Sequence, residues 1–166
     1  MEFQTGDDAV HPSHGVGHIV RREERQLGGS QIQPYYVLAV GSTTVWVPVN
    51  TDGSTVLRTV TVKQDLEQYR SILKGRPLGL ERDHLKRHAE IKDRLKHGSF
   101  QSLCEVVRDL TALGWQRPIS ERDASVLQRV RDNLQREWAI AANLSLPEAG
   151  LEVDALLRVG RDAYKD

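Results

Sequence analysis

The stretch Tyr35-Tyr36-Val37-Leu38-Ala39-Val40-Gly41-Ser42-Thr43-Thr44-Val45-Trp46-Val47-Pro48-Val49 decides how the first third of the chain folds. Two runs rich in aromatic and β-branched residues flank Gly41-Ser42. Such runs suit a pleated, half-buried backbone, and the two turn formers between them point to a tight hairpin. Pro48 has no backbone donor, so the end of the second strand lies at an edge or a bulge. Alternation places Trp46 opposite Val45 and Val47. If the valines fill the interior, Trp46 is exposed, and an exposed tryptophan on a strand often marks a protein contact.

The rest of the first 58 residues has the same character. Gly6, Pro12, Gly15, Gly17, Gly28-Gly29 and Asp52-Gly53 punctuate short apolar runs, among them Val16 to Val20. Four or five short strands of this kind make a small β-barrel. From residue 62 the period changes. Leu66, Tyr69, Ile72 and Leu73 recur at helical steps until Gly75-Arg76-Pro77-Leu78-Gly79 breaks them. A second helix over about 81–96 places His84, His88, Ile91 and Leu95 on one face. Gly98-Ser99 opens a third, with Phe100, Leu103, Val106, Val107, Leu110 and Leu113 inward, and Gly114 to Pro118 is a linker. Ser120 opens a fourth, with Leu127, Val130, Leu134, Trp138 and Ala141 on one face. Ser145-Leu146-Pro147-Glu148 has the form of a capping box and opens a fifth, using Leu151, Ala155, Leu156 and Val159. The expected fold is α+β in two domains, a small β-barrel over 1–60 and an all-α domain of about five helices over 61–166.

Composition bounds the function. The chain has 166 residues, and a 39% hydrophobic share makes burial feasible. Its 23 basic and 23 acidic residues balance, but distribution matters more than the total. Lys74 to Lys96 carries eight basic residues against four acidic, with His84, His88 and His97 in or beside it. Charge alone fits a nucleic-acid face and an ordinary solvated helix equally. One cysteine, Cys104, rules out an internal disulfide and reads as a small buried thiol. No secretory pattern opens the chain and no apolar run reaches 18 residues, so a cytoplasmic protein without a membrane span is expected.

Catalytic and metal constellations are weak. His11, His14 and His18 are zinc-type ligands, but no carboxylate or cysteine completes the set at normal spacing. His84 and His88 form an i, i+4 pair without the glutamate of a zincin helix. Gly15-Val16-Gly17 precedes a strand pattern and is no dinucleotide fingerprint. No nucleophile and base assemble. No metal, no cofactor and no enzymatic activity are expected.

Three stretches together resemble the CarD/CdnL family of bacterial RNA polymerase-binding transcription regulators. They are Phe3-x-x-Gly6-Asp7-x-x-Val10-His11-Pro12-x-His14-Gly15-Val16-Gly17, then Trp46-Val47-Pro48-Val49 followed by Val56-Leu57-Arg58, and then Gly98-Ser99-Phe100 through to Asp109-Leu110. Leu144-Ser145-x-x-Glu148 extends the likeness over nearly the whole chain. The first stretch is also similar to the polymerase-interacting domain of transcription-repair coupling factors, whose helicase motors are absent here.

The resemblance implies a Tudor-like first domain that binds the polymerase β subunit. It implies a helical domain that meets promoter DNA, largely independently of sequence, at the upstream edge of the −10 element and stabilises the open complex. Carried over residue by residue, the polymerase-binding positions are Arg25, Leu27 and Trp46, where family members often have arginine in place of Trp46. The DNA-binding positions are Arg82, His84, Lys86 and Arg87. His84 stands where the family has a tryptophan that wedges into the minor groove. Histidine stacks on a base but buries less area. Other basic positions of the family are Ala89 and Ala124 here. The chain is expected to act as a monomer. The alternative function is a polymerase-binding protein–protein adaptor without a working DNA wedge.

Overall fold

The computed structural model describes residues 2–26 and 31–164. It divides into two compact units, Met1–Val60 and Thr61–Asp166. The first unit holds β1 (Asp8–His11), β2 (Gly15–Arg25), β3 (Gln33–Val40) and β4 (Thr43–Pro48). They form one antiparallel sheet in the order β1-β2-β3-β4. The chain then returns to the opposite edge, where Val10 and Arg58 exchange two backbone hydrogen bonds of 2.8 and 3.0 Å. The small barrel read from the sequence therefore takes the form of a curled half-barrel. Gly41 opens the β3–β4 turn at φ +59°, a conformation that glycine adopts without steric cost.

One sheet face carries the core: Ala9, Ile19, Tyr36, Leu38 and Val47, joined by Val49 and Leu57. Alternation along β3 and β4 supplies Tyr36, Leu38, Val45 and Val47 to that face. β2 obeys alternation only as far as Ile19. The register runs Ile19 to Leu38 and then Arg21 to Val37, so Val20 is an inserted bulge residue. The bulge swaps the parity of everything after it, and Arg21, Glu23 and Arg25 turn to the face opposite the core. Without it this charged run would point inward.

The opening sequence motif is a set of closures on this sheet. Phe3 N–H donates to the Tyr36 hydroxyl at 3.1 Å and the rings meet edge to face. Gly6, at φ +92°, donates to the Ile19 carbonyl at 2.7 Å. His11 Nδ1 accepts from the Ser13 and His14 amides at 3.0 and 3.2 Å and so holds the β1–β2 turn. Burial, followed by the charge of His14, keeps His11 below the ordinary histidine range. The folded turn thus favours the neutral ring, and its contribution is present above about pH 6.5, the unfolded value. It is lost as pH falls from there through the lower folded value. Urea unfolding between pH 7.5 and 5 is expected to show stability dropping on acidification. The drop should be smaller in His11→Gln, and an equal drop in both proteins would refute the assignment.

The second unit begins with a 3-10 turn (Lys63–Asp65) and continues through α1 (Leu66–Leu73), α2 (His84–Leu95), α3 (Phe100–Gln116), α4 (Glu121–Ala142) and α5 (Leu146–Tyr164). Its core gathers Leu66, Leu73, Ile91, Phe100, Leu110, Leu134 and Trp138 with their neighbours. Side chains cap the helices as their sequences allow. Asp83 accepts from Lys86 N–H, Ser99 from Ser102 N–H and Ser120 from Asp123 N–H. Ser145 and Glu148 bond each other's backbone amides at 3.0 and 3.2 Å, the capping box read from the sequence.

Two local expectations are corrected. α3 runs through Gly114 to Gln116, and Arg117, extended before Pro118, is where it stops. α5 is rotated from its expected stripe. Leu151 and Val159 are 71% and 53% exposed, while Ala149, Gly150, Val153, Leu157 and Gly160 face inward. The reason is close approach: a Cβ on Gly160 would lie 3.2 Å from the Lys74 carbonyl, so the helix packs on its small residues.

Candidate functional site

In the first unit the candidate surface is the sheet face opposite the core. Cross-strand register puts Arg21, Val37 and Trp46 in one row, with Glu23, Tyr35 and Pro48 in the next. Val37 is 1% exposed and Tyr35 9%. Trp46 is 37% exposed. Its indole N–H donates to Glu23 Oε1 at 2.6 Å, and the Arg25 guanidinium lies over its ring, 5.1 Å from the centroid. Arg21 bonds the other Glu23 oxygen at 2.7 Å. The hydrogen bonds from Arg21 and then Trp46 hold the Glu23 carboxyl below the usual range. Arg25 and Trp46 are therefore brought together, with Glu23 as a link the sequence reading passed over. Its position two residues before Arg25 was a usable signal, because period 2 puts both on one face. Leu27 lies outside the described residues.

In the second unit the candidate surface surrounds the start of α2. The loop leading into it is fixed by a buried carboxylate. Asp109 of α3 accepts from Leu78 N–H at 2.9 Å, Arg108 Nε at 2.8 Å and Arg94 Nη2 at 2.9 Å. Arg82, His84 and Lys86 then stand exposed at the helix N-terminus, where the helix dipole favours anions. Among the described residues, neither Arg82 nor Lys86 has an ion-pair partner for its side chain.

Arg87 departs from its neighbours. It is 4% exposed, and its guanidinium makes four hydrogen bonds inside the protein. Nε and Nη2 donate to Asp123 Oδ2 at 3.1 and 2.8 Å. Nη1 donates to the carbonyls of Glu81 and Arg82, both at 3.1 Å. Asp123 is 1% exposed and sits in the first turn of α4. Burial pushes its carboxyl up, but hydrogen bonds from Arg87 and Ser120, with the charges of Arg87 and His88, outweigh that and hold it below the usual range. Arg87, expected from the resemblance to meet DNA, thus directs four hydrogen bonds to acceptors inside the protein.

A cleft of about 510 Å³ opens beside this pair. Arg82, His84, Arg87 and His88 line it from the α2 side, and Arg117, Ser120, Arg122 and Asp123 from the α3–α4 connection and the start of α4, so the ion pair forms part of its wall. Arg117 and Arg122 are exposed and, among the described residues, have no ion-pair partner. Sequence reading missed both. They flank Pro118-Ile119-Ser120, the stop of one helix and the cap of the next, and that adjacency was the available signal. The histidines of the first unit are otherwise engaged, His18 pairing with Asp8 at 2.5 Å and His11 with its turn. No group of three or more potential ligands is placed to hold a metal among the described residues. No helix there is long and apolar enough to cross a membrane.

Comparison with known proteins adds three findings. Residues 3–61 match the family model described as the CarD-like/TRCF RID domain. Residues 69–154 match the model described as the CarD C-terminal domain. The chain is 29% identical over 149 residues to "Putative transcription factor YdeB" of Bacillus subtilis (strain 168), covering 86% of this chain and 94% of that protein. With both halves matched in the order of the two structural units, the chain belongs to the CarD/CdnL family of transcription regulators.

Proposed function

We propose that the chain binds the β subunit of RNA polymerase through its first unit and promoter DNA through its second, stabilising the open complex. The observation that carries this reading is the basic cleft at the start of α2. Arg82 and His84 share it with Arg117 and Arg122 at a helix N-terminus, and Lys86 stands exposed on the same first turn. Cations so placed suit backbone phosphates, which position a protein on DNA without reading its sequence. His84, first residue of α2, is the side chain available to stack at an unstacked step. Because the melted promoter offers that step and the closed one does not, binding shifts the equilibrium toward open. On the first unit, Arg25 and Trp46 form the docking surface, with Leu27 two residues after Arg25 in sequence.

The test has two arms. Arg25→Glu and Trp46→Ala are each expected to weaken capture of the polymerase β subunit by the full chain at least tenfold, about 1.4 kcal/mol. Arg82→Glu with Lys86→Glu is expected to shorten open-complex lifetime while leaving that capture intact. An unchanged lifetime with intact capture would favour the adaptor reading, and unchanged capture in the first arm would sink the docking surface.

A further inference from the structure

We infer that Arg87 is a positioning residue for the basic cleft and not a phosphate contact, and that Arg117 and Arg122 make phosphate contacts in its place. The inference rests on the DNA-binding reading above. The Arg87 guanidinium spans three elements at once. It holds Asp123 in the first turn of α4, and two carbonyls, Glu81 and Arg82, in the chain entering α2. One of those carbonyls belongs to Arg82, itself a cleft residue. Arg87 therefore sets where the Arg82 backbone stands relative to the start of α4, which carries Arg122. Arg87 is 4% exposed and a phosphate would compete with its four internal hydrogen bonds, whereas Arg117 and Arg122 are exposed and have no competing ion pair among the described residues. Arg82, Arg117 and Arg122 line the cleft from both sides of this latch.

Counterion release separates a contact from a support. Each phosphate neutralised contributes about 0.9 to the slope of log K against log salt on duplex DNA. The full chain would be titrated into a fluorescent promoter-length duplex at several salt concentrations. Arg117→Gln and Arg122→Gln are each expected to weaken binding several-fold and to lower the slope by about 0.9. The double substitution Arg87→Met with Asp123→Leu removes one charge of each sign and keeps an apolar contact between the two helices. It is expected to keep the wild-type slope. Arg87→Lys, which keeps the charge but cannot fork between Asp123 and the two carbonyls, is expected to weaken binding with the slope retained. Circular dichroism checks that each variant is folded. A slope lowered in the double variant, or a wild-type slope in both Arg117→Gln and Arg122→Gln, overturns this inference alone. Absence of salt-dependent binding by the wild type overturns the DNA-binding reading and the inference with it.

Discussion

Arg87→Ala is expected to destabilise the helical unit by about 3–5 kcal/mol, the cost typical of leaving one buried charge without its partner. The alanine leaves Asp123, 1% exposed, without the Arg87 contact at 2.8 Å, and His88 Nε2 stands at 3.5 Å from its other oxygen. It also leaves the Glu81 and Arg82 carbonyls without their donor. Replacing both partners at once, Arg87→Met with Asp123→Leu, is expected to cost far less, since neither charge then remains to be desolvated. Urea unfolding followed at 222 nm measures both. A loss below about 1 kcal/mol in Arg87→Ala would mean that the pair is a surface contact and not a latch. The pair also has an acid signature. Asp123 is held below its ordinary value, so its contribution is full above about pH 4, the unfolded range, and disappears as pH falls from there through the folded value. Arg87→Ala should lack that acid-sensitive part.

Gly17→Ala is expected to cost about 3 kcal/mol, the upper end of what overpacking usually does. The added Cβ would stand 2.5 Å from the Ala39 carbonyl oxygen, 2.8 Å from Val40 Cγ2 and 3.0 Å from Leu38 Cγ. The nearest of these is backbone, which cannot swing aside, so β2 and β3 must separate where they are paired. Gly79→Ala is the matched control, since a Cβ there meets nothing within 4 Å. Hydrogen exchange of the β2 and β3 amides should accelerate in Gly17→Ala and stay unchanged in Gly79→Ala. Equal protection in all three proteins would remove the steric argument. The contact also accounts for the spacing of Gly15-Val16-Gly17. Gly15 supplies a positive φ for the turn and Gly17 a close strand approach, with no phosphate involved.

Much of the second unit was legible because helices declare themselves by local periodicity and by caps. Ser99, Ser120 and the Ser145–Glu148 box were readable from neighbours three residues apart. The α5 stripe was not, because the sequence contains two competing faces. The larger one, through Leu151 and Val159, lost to the one carrying Gly150 and Gly160. That choice depends on how closely the Lys74 backbone approaches Gly160, a long-range fact. In the first unit, period 2 assigned Val47 and Trp46 to opposite faces correctly, but it failed across Val20, whose insertion depends on the register of β3.

By itself the sequence determined the order of a strand-built unit and a helix-built unit, the turn at Gly41-Ser42, most helix starts and the basic character of the second helix. These follow from propensity, turn chemistry and patterns only a few residues long. Only the tertiary structure decided which basic residues are free to meet an anion. Arg82, Lys86 and Arg87 are alike in composition and neighbours, yet a carboxylate 36 residues away turns Arg87 inward and leaves Arg82 and Lys86 outside. That partner became visible only when α2 and α4 packed, because a buried charge must find its counter-charge wherever the fold brings one.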